Sequence, residues 1–176
     1  MNSGVGGSTH PSALIAAIAV GAGNLGGSRE VVHCVEYWQE CGTDINQWVE
    51  LIGNPPEQER LDVWLPMEHA PGFDPNGVSC PSPVLQTLEH LAAVGQTTHL
   101  CWLLENRLAL EDAAKCPLAF TGVAGAAFYD LELAPEQAEM LFLLLRLPGA
   151  AVHALEQEKL GWRKYPFFSK GFKVTE

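Results

Sequence analysis

Apolar side chains recur at helical spacing along most of the chain, and Gly and Pro mark the breaks. Val31, Val32, Val35 and Trp38 follow an i, i+3, i+4 pattern between charged residues, which predicts an amphipathic helix over about 29–40. The same criteria predict an Ala-rich helix after Ser12 and further helices at about 44–52, 84–94, 98–111 and 135–161. No strand pattern occurs outside the Pro-rich loop, so the pattern predicts an all-α fold.

Polar residues stand at several of the predicted helix starts. Ser12, Ser28 and Asp44 are suited to N-cap positions, and Glu30 in a first turn complements the helix dipole. In the helix that begins near 98, the apolar face is expected to be buried; it consists of Leu100, Leu103, Leu104 and Leu108.

Residues 53–82 form the least regular region, because prolines recur throughout it. A loop of this length in a small domain is usually functional or mobile. His69 lies in it, between Glu68 and Ala70, where a side chain can be aimed at a cleft. We therefore treat His69 as a candidate functional residue, whereas the histidines on predicted helices are expected to be structural.

The last predicted helix is apolar around most of its circumference, and Pro148-Gly149 should kink it. Such a helix must be covered by its own domain or by a second subunit, so we expect an oligomer. Its longest apolar run, 140–147, covers about two turns. A bilayer span needs roughly 20 residues, so no membrane partner is expected.

Composition narrows the class of protein further. The 176 residues carry 10 basic and 21 acidic side chains, a formal charge of −11, so nucleic acid and anionic membranes are poor partners for the whole surface. Only the C-terminus could form a basic patch, from Arg163, Lys164, Lys170 and Lys173. Five cysteines without CxxC spacing indicate reduced thiols in a cytoplasmic protein, and no metal site is expected.

Three stretches carry a resemblance to a known family. Residues 117–131, PLAFTGVAGAAFYDL, resemble the P-L-N-V-D-G-x-x-G-x-A-F-x-D segment of the citryl-CoA lyase module of ATP-citrate lyase and of stand-alone citryl-CoA lyases, relatives of citrate synthase. The pattern Arg146-x-x-Gly149-x-x-x-His153, followed by Arg163-x-Tyr165-Pro166, is similar to the family's closing helix and tail. Upstream, SALIAAIAVGAGNLGGSREVV is similar to its Ala-rich helix and Gly-Gly turn.

The resemblance implies one citrate synthase-like multi-helical domain over 1–176, N-terminally truncated, with core helices at 10–52 and 117–170 and a smaller lobe at 53–116. The family makes or breaks a C–C bond between an acyl-CoA and a keto acid, using a carboxylate and a histidine. The loop WLPMEHAPGFDPNGVSCPSPVLQTL falls where the family has a G-x-G-H element, so by position the histidine falls on His69, and the carboxylate of the 117–131 segment falls on Thr121. Substrate contacts would come from Arg146, Arg163 and Glu68, and a coenzyme A thioester would be the substrate.

Thr121 is the decisive departure from the family pattern, because a hydroxyl cannot take a proton from a thioester α-carbon near neutral pH. The first hypothesis is therefore a catalytically depleted subunit, in a homodimer or in a hetero-oligomer with a fuller citrate synthase-like or acyl-CoA enzyme subunit. The second is an active acyl-CoA lyase, synthase or thioester hydrolase that uses His69 with Glu68, Asp74 or a partner's carboxylate. The third is a non-catalytic module that binds acyl-CoA or a carboxylate.

Overall fold

The computed structural model describes residues 9–23, 27–55, 69–94 and 97–160, apart from the side chains of 158–160. Over these ranges the chain is all-α, as predicted, and an isolated antiparallel bridge is its only β-type pairing. The described helices are α1 His10–Gly21, α2 Arg29–Cys41, α3 Ile45–Gly53, α4 Ser82–Val94, α5 Thr98–Ala114, α6 Phe120–Asp130 and α7 Pro135–Leu160.

The predicted helix starts met different outcomes. Asp44 caps α3 as predicted, because its side chain accepts hydrogen bonds from the backbone N–H groups of Asn46 and Gln47. Ser12 does not cap α1, which begins two residues earlier, at His10. Ser28 does stand at the N-cap of α2, but its hydroxyl donates to Glu139 at 3.0 Å and makes no capping bond. Its side chain therefore donates to a distant carboxylate instead of accepting from a backbone N–H of the first turn.

The chain divides into two compact units, 1–22 with 143–176, and 23–142. We call them unit 1 and unit 2. The core of unit 2 contains Trp38 and Trp48, whose rings meet edge to face with centroids 4.7 Å apart. Leu103 and Leu110 of α5 and Val123 of α6 pack into the same core. This burial explains why α2, α5 and α6 hold together.

A second apolar cluster in unit 2 joins α2, α6 and the start of α7. Val31 and Val35 pack there with Phe128, Ala138 and Phe142. The first two turns of α7 are therefore part of the core of unit 2. The start of the last helix is therefore covered by its own domain, one of the two alternatives expected for this helix.

Two expectations about apolar residues were wrong. Leu108 was predicted to be buried, but it is 69% exposed, because the inward face of α5 is carried by Leu100, Leu103 and Leu110. By length and composition, the segment Pro135–Gln157 is long and apolar enough to cross a membrane. The longest uninterrupted apolar run, 140–147, had predicted no such helix. α7 carries so few charged residues that its mean hydropathy stays within the range of membrane-spanning helices.

Candidate functional site

Three side chains of unit 2 meet at one carboxylate oxygen. Glu30, in the first turn of α2, is buried, and its Oε1 accepts hydrogen bonds from the backbone N–H of Gly72 and from the hydroxyl of Thr121, both at 2.9 Å. His69 Nε2 lies 3.9 Å from the same oxygen. We refer to Glu30, His69 and Thr121 as the Glu30 cluster.

The loop that carries His69 is held against the entry to α6. The N–H of Ala119 donates to the carbonyl oxygen of Gly72 at 2.8 Å, and the N–H of Asp74 donates to that of Pro117 at 2.9 Å. Gly72 has φ +88°, a backbone conformation that other residues rarely adopt. The loop thus reaches Glu30 with its backbone already fixed by α6.

Glycines let these backbones approach closely. A Cβ on Gly122 would lie 2.6 Å from the carbonyl oxygen of Gly72, and a Cβ on Gly125 would lie 2.5 Å from Cβ of Cys34. Neither distance is tolerable without a backbone shift. Gly122 and Gly125 therefore allow α6 to pack directly against Gly72 and Cys34.

The electrostatics of the cluster follow from burial. The side chains of His69 and Glu30 are 16% and 10% exposed, so an ion pair between them would be only weakly screened. Burial, and then the charge of Glu30, raise the pKa of the Cys34 thiol well above its usual range. Cys34 therefore stays protonated and is a poor nucleophile, although it lies one helical turn from Glu30.

Little free space lies beside the cluster on its inner side. A cavity of about 10 Å³ is lined by Cys34, Trp38, Pro71, Leu118 and Gly122, among others. That volume holds at most about one water molecule. This cavity is therefore too small to admit a substrate to Glu30.

A larger groove of about 540 Å³ opens elsewhere in unit 2, between the loop at 77–80 and α5. Arg107 lines it and pairs with Glu111 at 2.7 Å, while the other oxygen of Glu111 accepts the N–H of Leu118 at 3.0 Å. Lys115, also in the lining, pairs with Asp112 at 3.1 Å. Since both cations already have carboxylate partners, the groove offers no free positive charge to an anionic ligand.

The predicted site residues are distributed unevenly. His69 and Thr121, 52 positions apart, are brought to the same oxygen. Arg146 is an exposed residue of α7 in unit 1. Glu68 and Arg163 lie outside the described residues, as does the predicted C-terminal basic patch.

Asp74, which the sequence offered as an alternative acid/base, uses its carboxylate to stabilise a local turn. Its Oδ1 accepts the N–H of Asn76 at 2.9 Å, and its backbone carbonyl accepts the N–H of Gly77 at 3.1 Å. This is a turn-forming arrangement typical of Asp. Asp74 therefore has a sufficient structural role, and it makes no recorded contact with the Glu30 cluster.

Sequence analysis missed Glu30, which was interpreted only as a dipole-compensating residue. Its spacing carried a usable signal: Glu30 lies four residues before Cys34 and eight before Trp38, both on the buried face of α2. A carboxylate on a buried helix face needs partners. That requirement predicts a polar cluster at Glu30, though not the identity of its partners.

A second carboxylate cluster is structural. Asp130, at the end of α6, accepts the N–H of His99 and of Leu100, both at 3.0 Å, and Nδ1 of His99 lies 2.7 Å from its Oδ1. These N–H groups belong to the first turn of α5, whose own N-cap residue, Thr97, makes no side-chain capping bond. Asp130 thus caps α5 from another helix, which agrees with the structural role expected for His99.

Within the described ranges, no group of three or more His, Cys, Asp or Glu side chains could hold a metal ion. Comparisons of the chain with protein-family models, with curated proteins and with solved structures each found no match.

Proposed function

We propose that this chain is a citrate synthase-like or citryl-CoA lyase-like subunit, related to enzymes that make or break a C–C bond of an acyl-CoA. In this proposal its own acid/base chemistry is depleted, and it works in a complex with a more complete partner. The proposal rests on Thr121, a hydroxyl residue at a position where the family has a carboxylate. By resemblance this residue occupies the position of the catalytic carboxylate, and its hydroxyl donates to the buried Glu30.

The geometry around Thr121 supports a packing role for this position. Its hydroxyl donates to Glu30. The next residue, Gly122, lies so close to the backbone of Gly72 that no Cβ fits between them. Loss of a positioned acid/base group lowers rates by about 10²–10⁴-fold. A chain that has a hydrogen-bonded threonine in place of this group is suited to assembly or regulation.

The test is turnover of CoA thioesters by the purified chain, alone and with a fuller paralogue. We expect no turnover by the chain alone and a changed rate when the partner is present. The double variant Thr121→Asp/Glu30→Gln returns a carboxylate to position 121 without placing two charges together. Turnover by the unpartnered wild-type chain would contradict the proposal.

A second candidate, an active acyl-CoA enzyme, is favoured by one specific observation. His69 Nε2 lies 3.9 Å from Glu30 Oε1, which places an imidazole, a common general acid and base, beside a buried carboxylate. Glu30 would then supply the carboxylate that Thr121 lacks.

For this candidate, His69→Ala and Glu30→Gln should each lower turnover by about 10²-fold or more. His33→Ala is the matched control, because His33 pairs with Glu36 on the surface of α2. Equal rates for His69→Ala and wild type would remove His69 from the mechanism. Binding of CoA or citrate without turnover, measured by calorimetry at millimolar ligand, would favour the third hypothesis.

A further inference from the structure

Two of the five cysteines share one groove of unit 2. Cys80, in the loop before α4, and Cys116, just after α5, both line the groove of about 540 Å³. Both are partly buried, and both pack against the same apolar core. Of the other three, Cys34 and Cys41 are buried on α2, and Cys101 is exposed on α5. Cys80 and Cys116 are therefore the cysteines that meet solvent on a common surface.

The backbones that carry these two thiols are held side by side. The N–H of Asp74 donates to the carbonyl oxygen of Pro117 at 2.9 Å. Three residues later, a Cβ on Gly77 would lie 2.6 Å from Cγ of Pro117, so the loop still touches the same proline. This contact is three residues from Cys80 and one residue from Cys116.

Glu111 is a neighbour that the two cysteine segments have in common. Its Oε1 accepts the N–H of Leu118, two residues after Cys116, at 3.0 Å. Burial, and then the charge of Glu111, raise the pKa of the Cys80 thiol. Glu111 therefore lies close both to the Cys80 side chain and to the segment that follows Cys116.

The loop on the Cys80 side has room to adjust. A disulfide requires a Cα–Cα separation of about 4.4–6.8 Å. Among the described residues, the backbone of 78–80 makes no hydrogen bond, and the side chains of Val78 and Ser79 are exposed. Neither backbone bonds nor burial of these two side chains would oppose a shift of Cys80 towards Cys116.

We propose that Cys80 and Cys116 form a modification site, at which hydrogen peroxide oxidises the pair to an intramolecular disulfide. The proposal does not depend on acyl-CoA chemistry. One thiolate breaks the O–O bond, takes one oxygen as a sulfenic acid and releases the other as hydroxide, which is protonated to water. The second thiol then forms the S–S bond and displaces the sulfenic oxygen as a second water. The two sulfurs lose two electrons, and the peroxide gains them.

The disulfide would tie the end of the loop that reaches Glu30 to the segment between α5 and α6. Opening of the bond between the N–H of Asp74 and Pro117 separates these two segments, so the cross-link should oppose it. We expect hydrogen exchange at Asp74 to slow by about tenfold or more after oxidation. The N–H of Asn54, at the end of α3, is the matched control and should exchange at an unchanged rate.

Thiol counting on the full chain, before and after treatment with hydrogen peroxide, tests the proposal. The parent is Cys101→Ser, which removes the exposed thiol that could link two chains and leaves four of the five thiols. We expect peroxide to remove two of these four, at a rate independent of protein concentration, and dithiothreitol to restore them. Peptide mapping should join the peptide that contains Cys80 to the peptide that contains Cys116.

Single substitutions in this parent identify the partners. Cys80→Ser and Cys116→Ser should each abolish the intramolecular disulfide and the slowed exchange at Asp74. Circular dichroism of the reduced variants checks that each is folded, and Cys80→Ala and Cys116→Ala repeat the measurement where a serine variant is not.

Four results would overturn the proposal. The first is retention of all four thiols at a peroxide dose that oxidises Cys101 in the wild-type chain. The second is a disulfide that joins other cysteines or links two chains. The third is an intramolecular disulfide that survives in Cys80→Ser. The fourth is a sulfinic acid on Cys80 or Cys116 in place of the disulfide, which would show that the thiols do not meet.

Discussion

Removing the Glu30 carboxylate should destabilise unit 2 more than any surface substitution on the same helix. Glu30→Ala removes an ionised acceptor that serves the N–H of Gly72 and the hydroxyl of Thr121. Hydrogen bonds to a charged group are worth about 1.5–3 kcal/mol each, and a buried N–H left without a partner costs about 1–3 kcal/mol. Relief of the desolvated charge offsets part of this loss. We expect a net decrease of about 3 kcal/mol in the free energy of unfolding.

Urea unfolding followed by tryptophan fluorescence measures this change, since Trp38 and Trp48 lie in the core. Thr121→Val removes one hydroxyl at nearly constant volume and should cost about 1–2 kcal/mol. Glu36→Ala is the matched control on α2. Because Glu36 is half exposed and pairs only with His33, its loss should cost about 0.5 kcal/mol.

A double-mutant cycle between Glu30→Ala and Thr121→Val isolates the bond between the two side chains. We expect a coupling energy of about 1–2 kcal/mol. A cost for Glu30→Ala within about 0.5 kcal/mol of wild type would refute the reasoning, because the loop at Gly72 would then not depend on the carboxylate. A large cost with no coupling would restrict the role of Glu30 to holding Gly72.

Three further predictions concern two glycines of the helices, the Asp130 cap and the Cys34 thiol. Gly122→Ala should destabilise the chain by about 2 kcal/mol or more in urea unfolding, because its Cβ would lie 2.6 Å from a carbonyl oxygen. Gly149→Ala, in open space on α7, should instead stabilise by about 0.5–1 kcal/mol, and equal effects of the two glycine substitutions would contradict this packing account. Asp130→Ala should cost about 1–2 kcal/mol and lower the hydrogen-exchange protection of the start of α5; unchanged protection would rule out the cap. Since burial raises the pKa of Cys34, the unfolded chain loses its thiol proton first as pH rises, and unfolding free energies measured from pH 8 to 10 should fall by on the order of 1 kcal/mol per pH unit. Cys34→Ala should lower this slope without abolishing it, because burial also raises the pKa of Cys41, to about 11. Cys101→Ser, at an exposed thiol, should leave the slope unchanged, and identical slopes in both variants would refute the assignment.

The helices could be predicted because their signals are local. α2 was predicted over about 29–40 and spans Arg29–Cys41, since its apolar spacing, the glycine before it and Gly42 after it lie within one short stretch. Burial was harder to predict. Leu108 continues an apolar pattern, yet it is exposed, because periodicity identifies a helix without saying how wide its covered face is.

The candidate site was half predictable. His69 and Thr121 followed from a resemblance in sequence, while Glu30, the residue that joins them, lies 91 positions from Thr121 and carries no local motif. Its role depends on the loop at Gly72, which contacts Glu30 and is held against the entry to α6. Contacts of that kind arise only when distant segments pack together.

By itself the sequence determined the all-α class, the approximate positions of six of the seven described helices and the Asp44 cap, because each depends on residues within a few turns of one another. The tertiary structure alone decided which carboxylate is buried, which helix face is left exposed, and that Asp130 caps a helix whose first residue precedes it by 32 positions. Burial and long-range hydrogen bonds are properties of neighbours in space, so local spacing could not specify them.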